Sequence, residues 1–243
     1  MDVAKFYELQ QYKRFAVSYF NRFLMTPEDK VEELFPAKML EVKIKALINQ
    51  QLTHLPMILP MIQWQVGATP LAIHSYNVGS VALLIGNSLG MEGDELYQLV
   101  VAAILHDVGK AFIGNQILDK NGKLAPAEFF TMQQHPKIGA VFLNTHYPKM
   151  DEKIIDAVLK HHEKADGSGY YHYKDEEVPE YARIIAAADI FSAATEERTY
   201  HPARSFREGY GILSQIPGMD TKYLDPIKEY ILKDPLPEPN IIY

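Results

Sequence analysis

Apolar residues recur along the chain with the three-and-four spacing of helices, while runs alternating apolar and polar are scarce. The pattern predicts an all-α protein. The leading part reads as a helix from Asp2 to Leu24, a helix start at "TPED", and a helix from Ala37 to Thr53. Thr26 is the expected N-cap there, with Pro27 at the first helical position. Pro56, Pro60 and Pro70 punctuate the exit from this region. From Leu71 onward the predicted helices become longer and more apolar. "HSYNVGSVALLIGNSLG" forms one, stopped by Gly90. "GDELYQLVVAAILHDVGK" forms the next, apolar nearly all round and therefore buried. A helix started by Pro126 and Glu128 is expected to run through "EFFTMQQHPKIGAVFLNTH". "DEKIIDAVLKHHE", "VPEYARIIAAADIFSAATEER", "SFREGYGILSQI" and "LDPIKEYIL" complete the set, and "KDPLPEPNIIY" reads as a loose end.

Against this apolar background a few polar residues stand out. His106, Asp107 and Lys110 lie in the most apolar helix, and Asp189 lies inside "ARIIAAADIFSAAT". His74 opens a helix whose other face is Val78, Val81, Ala82 and Ile85, and His135 interrupts "FFTMQQHPKIGAVFL". Burying an unpartnered carboxylate or cation costs several kcal/mol or more. For any one of these positions a salt bridge or a hydrogen-bonded core residue is the ordinary explanation. Their recurrence in helices that should pack together favours a shared site. His161 and His162 add a doublet in "LKHHEKADGSGYYHY". Adjacent helical residues point about 100° apart, so His106–Asp107 and His161–His162 suit two ions better than one; one geometry that uses both members of the first pair has Asp107 bridging two ions while His106 serves one.

Composition narrows the chemistry. The 243 residues are 47% hydrophobic and 23% charged, enough for one large domain or a domain with a small appendage. The absence of cysteine excludes disulfides, thiolate metal sites and thiol nucleophiles. A metal would be held by histidine and carboxylate, which suits divalent Fe, Mn or Zn. The net charge of −7 argues against nucleic-acid polymers as partners but permits a small anionic ligand. "MDVAKFYELQ" has no signal-peptide character, and "LPMILPMIQW" is too short and proline-broken to span a bilayer. A cytoplasmic protein without membrane contact is expected.

The order His74, His106-Asp107, Asp189 resembles the HD superfamily of metal-dependent phosphohydrolases. "HHEKADGSGYY" resembles the HHE-x-x-DG-x-GYP signature of its HD-GYP branch. The similarity continues through "LHDVGKAFIGNQILDKNGKL", "HPKIGAVFL", "VPEYARIIAAADIFSA" and "ERTY", from about Leu71 to Leu232. The resemblance implies an HD-domain helical bundle over 69–243 with a His/Asp-ligated centre of two Fe or Mn ions. A small N-terminal helical region, 1–68, would serve as a regulatory or scaffolding element. It further implies hydrolysis of a cyclic dinucleotide, cyclic di-GMP above all. Carried over by position, the implied ligands are His74, His106, Asp107 (bridging, and positioning the nucleophile), His135, His161, His162 and Asp189. Lys110 matches a lysine that faces substrate phosphate, and Arg198 a second phosphate contact.

The sequence also departs from the pattern. Pro70 stands where some members carry a third-metal glutamate, so two metals are expected. Tyr171 replaces the GYP proline, Ser192 a frequent second aspartate and His201 a usual Lys or Arg. The loop at 170–179 is the candidate surface for a protein partner, and a homodimer is open. Glu163 and Asp166 are read as groups orienting imidazoles, against a helix C-terminal acid and an Asx turn. Trp64 is assigned to the junction with the leading helices, and His54, His146 and His172 to surface or loops. Two alternatives stand beside the enzyme: a metal-containing signalling module with little or no turnover, and a hydrolase acting on another nucleotide such as cyclic GMP-AMP.

Overall fold

The computed structural model describes residues 14, 16–53, 69–196 and 203–233. The helices are α1 (16–24), α2 (Val31–Leu34), α3 (Ala37–Thr53), α4 (Pro70–Ser88), α5 (Gly93–Leu105) and α6 (Asn115–Leu118). They continue as α7 (Pro126–Met132), α8 (His135–His146), α9 (Glu152–Lys160), α10 (Glu180–Thr195), α11 (Phe206–Leu213) and α12 (Thr221–Lys233). Short 3-10 turns occupy Glu28–Lys30, Val108–Phe112 and Asp175–Glu177. No strand occurs among the described residues, so the all-α expectation holds. Nor is any described helix long and apolar enough to cross a membrane.

The centre of the bundle is α4, buried without interruption from Ala72 to Gly86. The Thr69 side chain accepts from the Ala72 amide at 3.2 Å, and Pro70 at the first position supplies a preset φ with no amide to leave unpaired. Around α4 pack α5, α10 and α12, while α9 contacts α5, α8 and α10. Phe20, Phe23 and Phe35 from the leading helices join the same apolar core, and Phe23 meets the Phe142 ring edge-on at 6.4 Å. The Tyr147 hydroxyl donates to Phe35 O at 3.0 Å, tying the leading segment to the end of α8.

Three expected helices differ from those found. The segment from Pro126 to His146 breaks at Gln133–Gln134 because Pro136 has no amide for Met132 O and its ring disfavours a continuous helix. The helix expected to reach Lys110 stops at Leu105, and the chain tightens into the 3-10 turn, where the Lys110 amide donates to Asp107 O at 2.9 Å. Thr26 caps nothing; its hydroxyl donates back to Arg22 O at 2.7 Å, and Pro27 precedes the 3-10 turn. Residues 1–13, His54, Trp64, Arg198, His201 and the 234–243 tail lie outside the described residues.

His146, at the last position of α8, sits between Glu28 and Glu32, with 3.0 Å contacts to each from its two ring nitrogens. The hydrogen bond to Glu28 raises its pKa above the usual 6.5. A raised folded-state pKa means the protonated ring favours folding, so this contribution is complete below about pH 6.5 and is lost as pH rises through the folded value. The two glutamates are exposed, which limits it to under about 1 kcal/mol. His146→Ala loses the Phe142 contact at any pH, and its loss of stability should be larger at pH 6 than at pH 9, as read from urea midpoints at both pH values.

Candidate metal centre

Three histidines of the centre stand where helices begin or end. His106 follows the last residue of α5 and His161 the last residue of α9, both with helical backbone angles. The last four carbonyls of a helix lack intrahelical amide partners. Two of these, Ala103 O and Val158 O, take the Nδ1–H groups of His106 and His161 at 2.7 and 2.8 Å. His135 opens α8, and its Nδ1 lies 2.7 Å from Met132 O, the carbonyl that Pro136 cannot serve. In each ring Nδ1–H is thus donated outward, which turns Nε2 inward.

Asp107 is where these Nε2 atoms converge. Its Oδ1 lies 3.0 Å from His135 Nε2 and 3.8 Å from His161 Nε2. Its Oδ2 lies 3.2 Å from His106 Nε2, 3.8 Å from His74 Nε2 and 2.6 Å from Lys110 Nζ. His135 Nε2 and His161 Nε2 face one another at 3.3 Å. The His162 ring lies over those of His161 and His135, with centroids 4.1 and 5.1 Å apart. Asp189 joins through His74, its Oδ1 2.9 Å from Nε2. All seven expected donors therefore belong to one connected cluster. Two sets within it bring donor atoms within 4.8 Å of one another: Asp107, His135, His161 and His162, and His74, His106 and Asp107.

Charge in the cluster follows from burial and neighbours. Burial holds His161 well below the ordinary histidine range, and the surrounding imidazoles add to this. Burial likewise takes His162 down to about 3. Burial would raise Asp107, yet His106 and Lys110 hold it well below the usual carboxylate range. For His74, burial is outweighed by the Glu196 and Asp189 carboxylates, and its pKa rises to about 9. Neutral His161 and His162 thus stand beside an ionised Asp107. His135 Nε2 comes within 3.0 Å of Asp107 Oδ1, and His106 Nε2 and Asp107 Oδ1 are buried without a hydrogen-bond partner. Such an arrangement of acceptors is resolved by cations, and imidazole with carboxylate is a donor set that divalent metals accept.

His162 and Asp189 are the partly exposed members, and both line a cleft that is open to solvent. Its other walls include Arg183 and Ile190 of α10, Met219 and Tyr223.

The two acids near the histidine doublet serve the loop that follows it. Glu163 is buried and accepts the Tyr171 and Tyr173 amides at 2.8 and 3.0 Å. Asp166 accepts the Ser168 amide at 2.9 Å, an Asx turn. The reading that these carboxylates orient imidazoles gives way to a backbone clamp. Tyr171 also has a local reason: a proline there could not donate to Glu163, and the tyrosine hydroxyl reaches Gln133 O at 2.8 Å beside the α7–α8 break. Ser192 is fully buried, and its hydroxyl makes no hydrogen bond. His172 is an exposed loop residue with φ 65°, away from the cluster. Sequence reasoning missed Glu196, which stands just past the end of α10, seven residues after Asp189.

Fold and donors together define an all-α bundle built around a buried site suited to divalent metal. The chain belongs to the HD domain family, whose model matches residues 34–226, and the resemblance read from the sequence is borne out. It is 36% identical over 143 residues to the cyclic di-GMP phosphodiesterase response regulator RpfG of Xanthomonas campestris, covering 58% of this chain and 37% of that protein. It is also 36% identical over 144 residues to 3′3′-cGAMP-specific phosphodiesterase 3 of Vibrio cholerae, covering 58% of this chain and 31% of that protein. The chain thus spans about a third of the length of these relatives. Among solved structures, Bd1817, an HDG"Y"P protein from Bdellovibrio bacteriovorus, shares the fold with a TM-score of 0.64 at 16% identity, over 80% of this chain and 62% of that one.

Proposed function

We propose that this chain is a metal-dependent phosphodiesterase that hydrolyses a cyclic dinucleotide, with cyclic di-GMP the first substrate and 3′3′-cGAMP the second to assay. The observation that carries the proposal is the division of the Asp107 carboxylate: Oδ1 faces His135 and His161, and Oδ2 faces His106 and His74. In this reading His135, His161 and His162 would hold one ion, His74, His106 and Asp189 would hold a second, and Asp107 would serve both. Fe or Mn is the proposed metal. Bound there, the ions supply Lewis acidity to phosphoryl oxygens and a water-derived nucleophile at neutral pH. The relatives' names support the substrate class, and their equal identity keeps both cyclic dinucleotides in view.

The protein's own groups bind and orient the substrate. Lys110, on the rigid 3-10 turn, presents an ammonium beside Asp107 and offsets the charge gathering on the phosphoryl oxygens. Arg198 is proposed as a second phosphate contact. The cleft beside His162 and Asp189 admits the ligand, with Ile190 and Met219 offering apolar surface to a base. Residues 1–68 are proposed as a scaffold, in keeping with Phe23 against Phe142.

The test is an assay of the Mn- or Fe-loaded protein against both substrates, alongside Lys110→Ala. Loss of one preorganised cation should lower turnover roughly 10²-fold or more, with metal content unchanged. A loaded protein that cleaves neither substrate overturns the proposal; wild-type turnover by the Lys110→Ala variant removes the role given to Lys110.

A further inference from the structure

His74 differs from the other inward-facing histidines in how its outer nitrogen is served. His106, His135 and His161 each use a backbone carbonyl three residues earlier, freed by a helix end or by Pro136. His74 is the fifth residue of α4, where the carbonyls of the preceding turn belong to the helix's own ladder. Its Nδ1 instead lies 3.0 Å from Oε2 of Glu196, the residue just past the end of α10 and 122 residues away. The other Glu196 oxygen accepts from Asn77 Nδ2 at 2.8 Å, one turn along α4.

Glu196 is poorly placed for its own stability. It is buried, and it caps the C-terminus of α10, where the helix dipole disfavours an anion. A tie between α4 and α10 needs no carboxylate there. The His74 and Asn77 contacts give it a purpose.

Resting on the metal-site reading above, we infer that Glu196 is a positioning residue. It accepts the Nδ1–H of His74, so that this imidazole, like the other three, presents Nε2 to the centre. Asn77 holds the carboxylate in place. A ligating histidine whose outer partner is removed typically costs 10–100-fold in metal affinity.

The test uses two near-isosteric variants, Glu196→Gln, which retains an acceptor for Nδ1–H, and Glu196→Met, which does not. Metal-stripped proteins are titrated with Mn²⁺ by calorimetry, and the thermal midpoints of the stripped proteins are compared. Glu196→Met should weaken one Mn²⁺ equivalent about 10–100-fold and leave the other unchanged. Glu196→Gln should stay near the wild-type affinity. The inference is overturned if Glu196→Met titrates as the wild type does, or if both variants weaken equally. Should Glu196→Met not fold, Glu196→Ala replaces it in the same comparison. A wild-type protein that binds no Mn²⁺ overturns the metal reading itself, a result visible before any variant is made.

Discussion

Asp107→Ala should lose both metal and hydrolysis, with turnover down roughly 10³-fold or more, the equivalent of about 4 kcal/mol. No other described side chain touches as much of the centre. One carboxylate approaches four imidazoles and Lys110, and each oxygen serves a different pair of histidines. Removing it leaves the imidazoles facing one another and a partly buried ammonium without its anion. Asp107→Asn separates charge from volume, since it keeps the shape and only the ionised carboxylate is lost. If the centre depends on that charge, the Asn variant should resemble Ala in metal content and in turnover. Metal analysis of both, with circular dichroism to establish folding, decides the matter. An Asn variant with full metal and wild-type turnover would remove Asp107 from its central role.

The parts of this site that were legible in the sequence were those written as local contradictions. Asp189 among alanines and isoleucines, and His106-Asp107 at the end of an apolar run, needed compensation that their neighbours did not offer. That arithmetic is local, so it survives without coordinates. The helix break before His135 was also written, in "HP", but the long apolar stretch around it masked the cost of Pro136. What the chain did not disclose were partnerships across distance. Glu196 meets His74 over 122 residues, and its own surroundings, "TEER", read as an ordinary polar helix end. Glu163 was misassigned for a related reason. A carboxylate beside two histidines suggests an imidazole partner, whereas the turn at Gly167 and Gly169 brings the Tyr171 and Tyr173 amides back to it.

Gly109→Ala should destabilise the fold by about 3 kcal/mol or more, although position 109 contributes no side chain to the centre. A Cβ there would lie 2.0 Å from His135 O and 2.7 Å from the Gly139 amide nitrogen. Both are backbone atoms of α8, so no rotamer change relieves the clash; the 3-10 turn or the whole helix must move. The same contact fixes the site, because Asp107 caps the turn and Lys110 lies in it, while the first residue of α8 is His135. Displacing α8 by even part of an ångström opens the 3.0 Å approach of His135 Nε2 to Asp107 Oδ1. Stability and metal affinity should therefore fall together in this variant, whereas Glu196→Gln should leave both near wild type. Urea unfolding with and without Mn²⁺ measures the two effects on one sample. An alanine variant with a wild-type midpoint would mean that α8 does not pack on the turn as closely as described.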